Sequence, residues 1–310
     1  MELTEPKTGQ EIEAFPETRQ TRIVLFDIVR IIAVGLVIFV HLLQRQGHPW
    51  GRGFGIPGFY YVTLGGVGVT LCVILSGMVL EYNYGHHELD YFSFVLKRAK
   101  RIYPIYWLSV LLALILLGST RLTNNFFGYL LDLSGFLAFT GQPWSRYILP
   151  TGWFIGVIFS LYLSFPYLSK YIRAYPRTSL ILLFAVSGAS RYLTEAYTDW
   201  SRPADWFILC RLFEFGLGIW LVDNPKALNI MKSLGQDLKA KTKTAVIYAS
   251  NLSFPAYLVH WIAIEMSPFK TMELRYFLIF FFIFTLTMSW LVLTLNRVIR
   301  GTRRFQQAPA

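Results

Sequence analysis

The feature that most restricts this 310-residue chain is a series of apolar windows, each close to the length of one bilayer crossing. They run from about 22 to 44, 61 to 82, 102 to 118, 151 to 169, 205 to 222, 246 to 265 and 274 to 298, with a shorter one from 178 to 193. A hydrocarbon core of about 30 Å needs about 20 apolar residues in a helix. Lipid offers no water to backbone N–H and C=O groups, and an α-helix satisfies them within one segment. The expected fold is therefore all-α, a polytopic transmembrane helical bundle of about eight spans. Residues 126–141 form a weaker segment, because Asp132 and three glycines interrupt it, so a re-entrant or interfacial path is the alternative there.

Composition agrees with that reading. Hydrophobic residues make up 54% and charged residues 15%, against roughly a quarter charged in soluble domains, which excludes an ordinary cytosolic, disordered or collagen-like chain. The net charge of +11 marks a cytoplasmic face beside anionic lipid and no nucleic-acid partner. With the amino terminus inside and 126–141 not crossing, the basic stretches at 97–101, 170–177, 226–243 and 297–304 all fall on one side. Both termini are then cytoplasmic, with polar tails at 1–21 and 301–310 flanking a membrane domain over 22–300, expected in the plasma membrane of a multi-pass cell-envelope protein. No cleavable signal peptide is expected, since Met1 to Gln20 is polar and acidic. Cys72 and Cys210 lie in apolar stretches, and His48, His86 and His87 have no convincing zinc-ligand spacing, so no metal is expected.

Charges inside apolar spans point to function, because each costs several kcal/mol unless it is paired or faces water. The first window carries Asp27, Arg30 and His41. Eleven residues separate Arg30 from His41, about three helical turns, which places both on one face some 16 Å apart. They cannot touch, but one long substrate could touch both. The structural alternative is that Arg30 snorkels to the inner headgroups with Asp27 as partner, and that His41 is a core histidine. Arg211 and Glu214, three residues apart, are expected to neutralise each other.

The pattern Asp27-x-x-Arg30 followed by His41 resembles the first-helix motif of the acyltransferase 3 family of integral membrane O-acyltransferases. Further segments are similar in the same order. Gly65-Gly66-Val67-Gly68-Val69 leading to Leu75-Ser76-Gly77 resembles the second-helix motif. Arg98-x-x-Arg101-Ile102-Tyr103-Pro104 resembles the start of the third, and Trp153-Phe154-Ile155 with Tyr162 and Pro166 a later one. RLFEFGLG, from Arg211 to Gly218, and the run from Leu252 to His260 complete the set, which extends from about 26 to 298. Two departures stand out: Ile158 takes a place where many members are acidic, and Asn296-Arg297 replaces a terminal acidic-Pro pair.

The resemblance implies an enzyme that moves an acyl group, most simply acetyl, from cytoplasmic acyl-CoA to a hydroxyl of an extracytoplasmic or lipid-linked carbohydrate. Acyl-CoA is a co-substrate, and no bound cofactor is expected. Acyl transfer needs a base near the attacking oxygen, and histidine fits that at neutral pH; the family pattern assigns this to His41, with Arg30 and Asp27. Arg98, Arg101 and Tyr103 are expected on the donor, where guanidinium groups suit phosphate oxygens. Trp153, Tyr162 and His260 are candidates for the acceptor, although an interfacial aromatic belt is the stronger default for the aromatics. His260 is equally a second base, a hydrogen-bond partner of His41 or a structural residue. A transporter of a glycan, anion or acyl group, with no covalent chemistry, is the competing class. A scaffold for envelope polysaccharide-synthesis proteins is the third.

Overall fold

The structure, a computed structural model, describes residues 21–45, 54–56, 60–118, 125–141, 147–197, 206–266 and 273–301. Apart from Thr21 and Gly301, the two expected tails lie outside these residues, as does His48. The chain is an all-α helical bundle carrying one short hairpin. In order come α1 (Val24–Arg45), the antiparallel strands β1 (Phe54–Ile56) and β2 (Tyr60–Val62), then α2 (Leu64–Tyr84) and α3 (Tyr91–Leu117). They are followed by α4 (Phe126–Ser134), α5 (Trp153–Ala174), α6 (Pro176–Tyr197), α7 (Leu212–Asp223), α8 (Pro225–Ser233), α9 (Ala240–Glu265) and α10 (Leu274–Ile299).

Each of the eight apolar windows coincides with a helix. The segments Val24–Arg45, Leu64–Tyr84, Tyr91–Leu117, Pro150–Ala174 and Leu274–Ile299 are long and apolar enough to cross a membrane on length and composition alone. The other three windows correspond to α6, to α7 with its preceding 3-10 turn (Ile208–Arg211), and to α9. Helix α3 begins at Tyr91, well before the apolar window at 102, because Asp90 caps it by accepting from the Ser93 amide at 2.8 Å and because Lys and Arg are good helix formers. That extension makes Arg98 and Arg101 helical.

Glycines set how close the central helices come. Helix α2 packs between α1 and α7. A Cβ on Gly68 would collide with the Ala33 carbonyl oxygen of α1, one on Gly77 with the Phe215 carbonyl of α7, and one on Gly218 with the Ile74 carbonyl of α2. Backbone therefore touches backbone at these crossings, the arrangement expected where small residues line helix interfaces in lipid.

The weak segment 126–141 is broken. Helix α4 stops at Gly135, whose φ of +80° suits glycine, and a 3-10 turn over Phe136–Thr140 follows. The last carbonyls of a helix lack intrahelical partners, and α3 supplies them: Tyr106 donates to the Asp132 carbonyl at 2.7 Å, Trp107 to Leu133 at 2.9 Å and Tyr103 to Ser134 at 3.0 Å. The Asp132 carboxylate in turn accepts from the Ile148 amide at 2.8 Å. Interrupted helices are tolerated at membrane depth where protein satisfies the freed groups, and here three aromatic donors satisfy three consecutive carbonyls.

Gly218→Ala is expected to cost about 1–3 kcal/mol through overpacking, read as a lower thermal midpoint in detergent. Gly188→Ala, where a Cβ meets nothing within 4 Å, is expected to leave the midpoint unchanged or higher.

Candidate functional site

On α1, the residues Arg30, Val34, Val37 and His41 form one stripe at i, i+4, i+7 and i+11. The first three line a cavity of about 430 Å³ enclosed by α1, α2, α3, α5, α9 and α10, a size within the range of about 300–1,000 Å³ common for small-molecule sites. Five arginines line it: Arg30, Arg98, Arg101, Arg297 and Arg300, and no Asp or Glu is among its lining residues. Its polar contents otherwise include Ser76, Tyr162, Ser250, Asn251 and Asn296. A lining of that kind selects an anion.

Arg30 is not simply neutralised by Asp27. Arg22 occupies that carboxylate with two bonds, of 2.7 and 2.8 Å. Arg30 reaches it only at 3.4 Å and makes its shorter bond, 2.8 Å, to Ser250 Oγ on α9. Arg98 is 7% exposed. Its Nη2 donates to the Tyr84 hydroxyl at 2.6 Å, while its buried Nε has no hydrogen-bond partner among the described residues.

His41 lines a second, much smaller cavity of about 30 Å³, together with Thr63, Gly65, Gly66, Trp153 and Trp206. Val37, Val69 and Tyr257 line both cavities, so these three side chains are the partition between them. Trp153 stacks on Trp206 with centroids 5.8 Å apart, and the Tyr257 hydroxyl donates to the Thr151 carbonyl at 3.1 Å.

The histidines are arranged so that their tautomers follow from the partners. His41 Nδ1 and His260 Nε2 are 2.8 Å apart, and the rings are nearly parallel at 12° with centroids 5.1 Å apart. That combination is an edge-to-edge hydrogen bond in a shared plane, not a face-to-face stack. His260 Nδ1 lies 2.7 Å from the Tyr257 carbonyl and 3.3 Å from that of Ala256. Carbonyls only accept, so Nδ1 of His260 carries its hydrogen and, with the ring neutral, Nε2 accepts from His41 Nδ1. Neutral His41 is then protonated on Nδ1, which leaves its Nε2 as the basic nitrogen. Trp261 meets the His41 ring edge-on at 5.0 Å.

Several sequence expectations are redistributed. Arg30, Arg98 and Arg101 share the large cavity. Tyr103 does not line it; its hydroxyl is committed to Ser134 and its ring packs on Trp107 and Phe159. Trp153 lies on the small cavity beside His41, whereas Tyr162 lies on the large one. His260 lines neither and is fully buried behind His41, which leaves the hydrogen-bond partner among the roles considered for it. Arg211 and Glu214 do pair, at 3.3 Å, but Arg191 makes the shorter contact to that glutamate at 2.6 Å. Ser250, Tyr257, Asn296, Arg297 and Arg300 were missed. The stripe Leu293, Asn296, Arg297, Arg300, at i, i+3, i+4 and i+7, was the available signal, obscured because the two arginines also read as a terminal basic cluster.

A group able to hold a metal occurs once among the described residues: the ligand atoms of Glu81, His86 and Asp223 lie within 4.8 Å of one another. Arg173 already stands 3.7 Å from Glu81 and 3.4 Å from His86, so a cation would compete with a guanidinium for the same carboxylate. The group is an ion-pair network.

Residues 23–235 match the family model of the acyltransferase domain. The chain belongs to the acyltransferase 3 family. The acyltransferase matches no curated protein and no solved structure. The family match covers α1 to α8, including Arg30, His41, Arg98 and Arg101, and ends before α9 and α10. Those last two helices bring Ser250, His260 and the Asn296–Arg300 wall to the same site.

Tyr103→Phe tests whether that residue serves the α4 helix end or the donor. Losing the bond to Ser134 is expected to cost about 0.5–1.5 kcal/mol of stability, measured by thermal denaturation, with affinity for an anionic donor unchanged. Weakened donor binding at full stability would return Tyr103 to the donor site.

Proposed function

We propose that the acyltransferase moves an acyl group, most simply acetyl, from cytoplasmic acyl-CoA to a hydroxyl of an extracytoplasmic or lipid-linked carbohydrate at the plasma membrane. The observation that carries this reading is the single α1 stripe that starts at Arg30 in an arginine-lined cavity and ends at a histidine whose Nε2 is the basic nitrogen. Family membership supplies the reaction type; the stripe supplies the path.

The phosphates of the donor rest among Arg30, Arg98 and Arg101, where each guanidinium offers paired N–H groups to phosphate oxygens. The thioester end reaches along the stripe, about 16 Å from Arg30 to His41 by helical rise, and passes between Val37, Val69 and Tyr257. Trp153 and Trp206 offer the incoming sugar flat apolar faces beside His41. His41 Nε2 takes the hydroxyl proton as the oxygen attacks the thioester carbonyl. The C–S bond then breaks, and the departing thiolate takes the proton as CoA. His260 is a positioning residue: its bond to the Tyr257 carbonyl fixes which nitrogen of His41 is basic, and its imidazole shares the charge that His41 acquires.

His41→Ala is expected to lower transfer by about 10²–10⁴-fold, the usual worth of a general base, with expression and donor binding retained. Purified protein given labelled acyl-CoA and candidate glycans supplies the measurement, and near-wild-type release of CoA would remove His41 as the base. Movement of label without thioester consumption would instead indicate transport.

The partition makes a separate forecast. Val69→Phe narrows the passage between the cavities, so CoA binding is expected to persist while transfer falls at least about ten-fold, since misplacing reacting groups by about 1 Å can cost 10²-fold. Loss of binding together with transfer would mean that the thioester does not travel by this route.

A further inference from the structure

Acyl transfer needs a base for one proton and a donor for one negative charge. As the acceptor oxygen bonds to the thioester carbon, its proton passes to His41 Nε2 and the π pair of the C=O moves onto the carbonyl oxygen. The pair returns when the C–S bond breaks. Until then the oxyanion needs a hydrogen-bond donor aimed at it, and His41 cannot serve, because its Nε2 is taking the proton.

The small cavity holds His41 of α1 together with Thr63, Gly65 and Gly66 at the start of α2. Thr63 caps that 21-residue helix: its Oγ1 accepts from the Gly66 amide at 2.8 Å, and its carbonyl from the Val67 amide at 3.0 Å. In both bonds Thr63 is the acceptor. A hydroxyl also donates, and among the described residues that hydrogen has no acceptor, although Thr63 is only 9% exposed. The two glycines are bare for a reason other than helix contact. A Cβ on Gly68 would collide with α1 backbone, but one on Gly65 or Gly66 would meet nothing nearer than 3.4 Å, so packing tolerates a side chain at both. Their lack of one leaves first-turn backbone against the cavity. The amides of Leu64 and Gly65 have no intrahelical acceptor there, and the helix dipole favours negative charge. Thr63 Oγ1 lies 3.5 and 3.4 Å from the two Cβ positions that Gly65 and Gly66 leave empty.

We infer that the Thr63 hydroxyl donates to the thioester carbonyl oxygen as negative charge develops on it, with the open amide end of α2 behind it. This rests on the acyl-transfer reading. The capping bond is the positioning device: the Gly66 N–H engages a lone pair of Oγ1, which fixes the oxygen and strengthens its O–H as a donor. The base and the oxyanion donor are then carried by adjacent helices on one small chamber.

The experiment alters the carbonyl oxygen as well as the residue. Purified full-length protein receives acetyl-CoA or acetyldithio-CoA, in which sulfur, a weak acceptor, replaces the carbonyl oxygen. An envelope glycan extract of the host supplies the acceptor, and CoA or dithio-CoA release is read for wild type, Thr63→Val, Thr63→Ser and Thr63→Gly. Thr63→Val is expected to lower kcat with acetyl-CoA by about 10²–10³-fold, the usual worth of one oxyanion donor, with KM for the donor unchanged. The ratio of kcat with the oxygen donor to kcat with the sulfur donor is expected to fall at least about ten-fold in that variant, because the lost bond is one that sulfur never made well. Thr63→Ser keeps hydroxyl and cap, and is expected to keep both rate and ratio. Thr63→Gly covers the case in which Thr63→Val does not fold: glycine caps about as well as threonine but carries no hydroxyl, and the same fall in ratio is expected. A role in capping alone forecasts the opposite, a lower thermal midpoint in Thr63→Val, full activity in Thr63→Gly and an unchanged ratio in both. That result would overturn the assignment and leave His41 and acyl transfer intact, whereas a wild-type protein that releases no CoA from acetyl-CoA would end both.

Discussion

A guanidinium group placed in hydrocarbon has nothing to replace its water, and this acyltransferase places several within its helical bundle. Each must find an acid, a dipole or a hydrated space, and the molecule uses all three. Arg211 and Arg191 share Glu214; Arg22 takes Asp27. Arg30, Arg98 and Arg101 are turned into a common cavity, where Ser250 and the Tyr84 hydroxyl hold two of them. The groups differ in what meets the charge: Arg191–Glu214 ties α6 to α7, whereas Arg98 and Arg101 turn into a cavity whose lining holds no acid.

That arrangement needs helices that approach closely enough to wall off a cavity. Gly68, Gly77 and Gly218 let α1, α2 and α7 touch through their backbones. The broken end of α4 is held by Tyr103, Tyr106 and Trp107, each finishing one carbonyl. The run RIYPIYW therefore has two jobs on two faces of α3. Its arginine, Arg101, lines the large cavity and its aromatics seal an unfinished helix end.

Much of this was legible in the sequence, for reasons that differ by element. All eight apolar windows became helices, because lipid enforces both length and apolarity. The shared face of Arg30 and His41 followed from helical period alone, as did the R-x-x-R pair once α3 extended past its apolar window. The interruption at 126–141 was visible in Asp132 and the glycines. Tyr103, expected on the donor from the resemblance, lies off the cavity that Arg98 and Arg101 line, and its hydroxyl is committed to the Ser134 carbonyl. The contributions of α9 and α10 were hidden since Ser250, Tyr257 and Asn296 reach the site through tertiary packing, which no local pattern encodes. Arg297 and Arg300 satisfied the basic-loop rule so well that their inward face went unread.

Tyr257 occupies an unusual junction. Its ring belongs to the partition between the two cavities, and its own carbonyl is the acceptor that orients His260 and, through it, His41. In the proposed reaction, a ligand threading the partition would press on the very residue whose main chain sets the protonation pattern of the imidazole pair. The proposed reaction would thereby join arrival of cargo and readiness of the base mechanically, within less than one turn of a single helix and with no messenger between them.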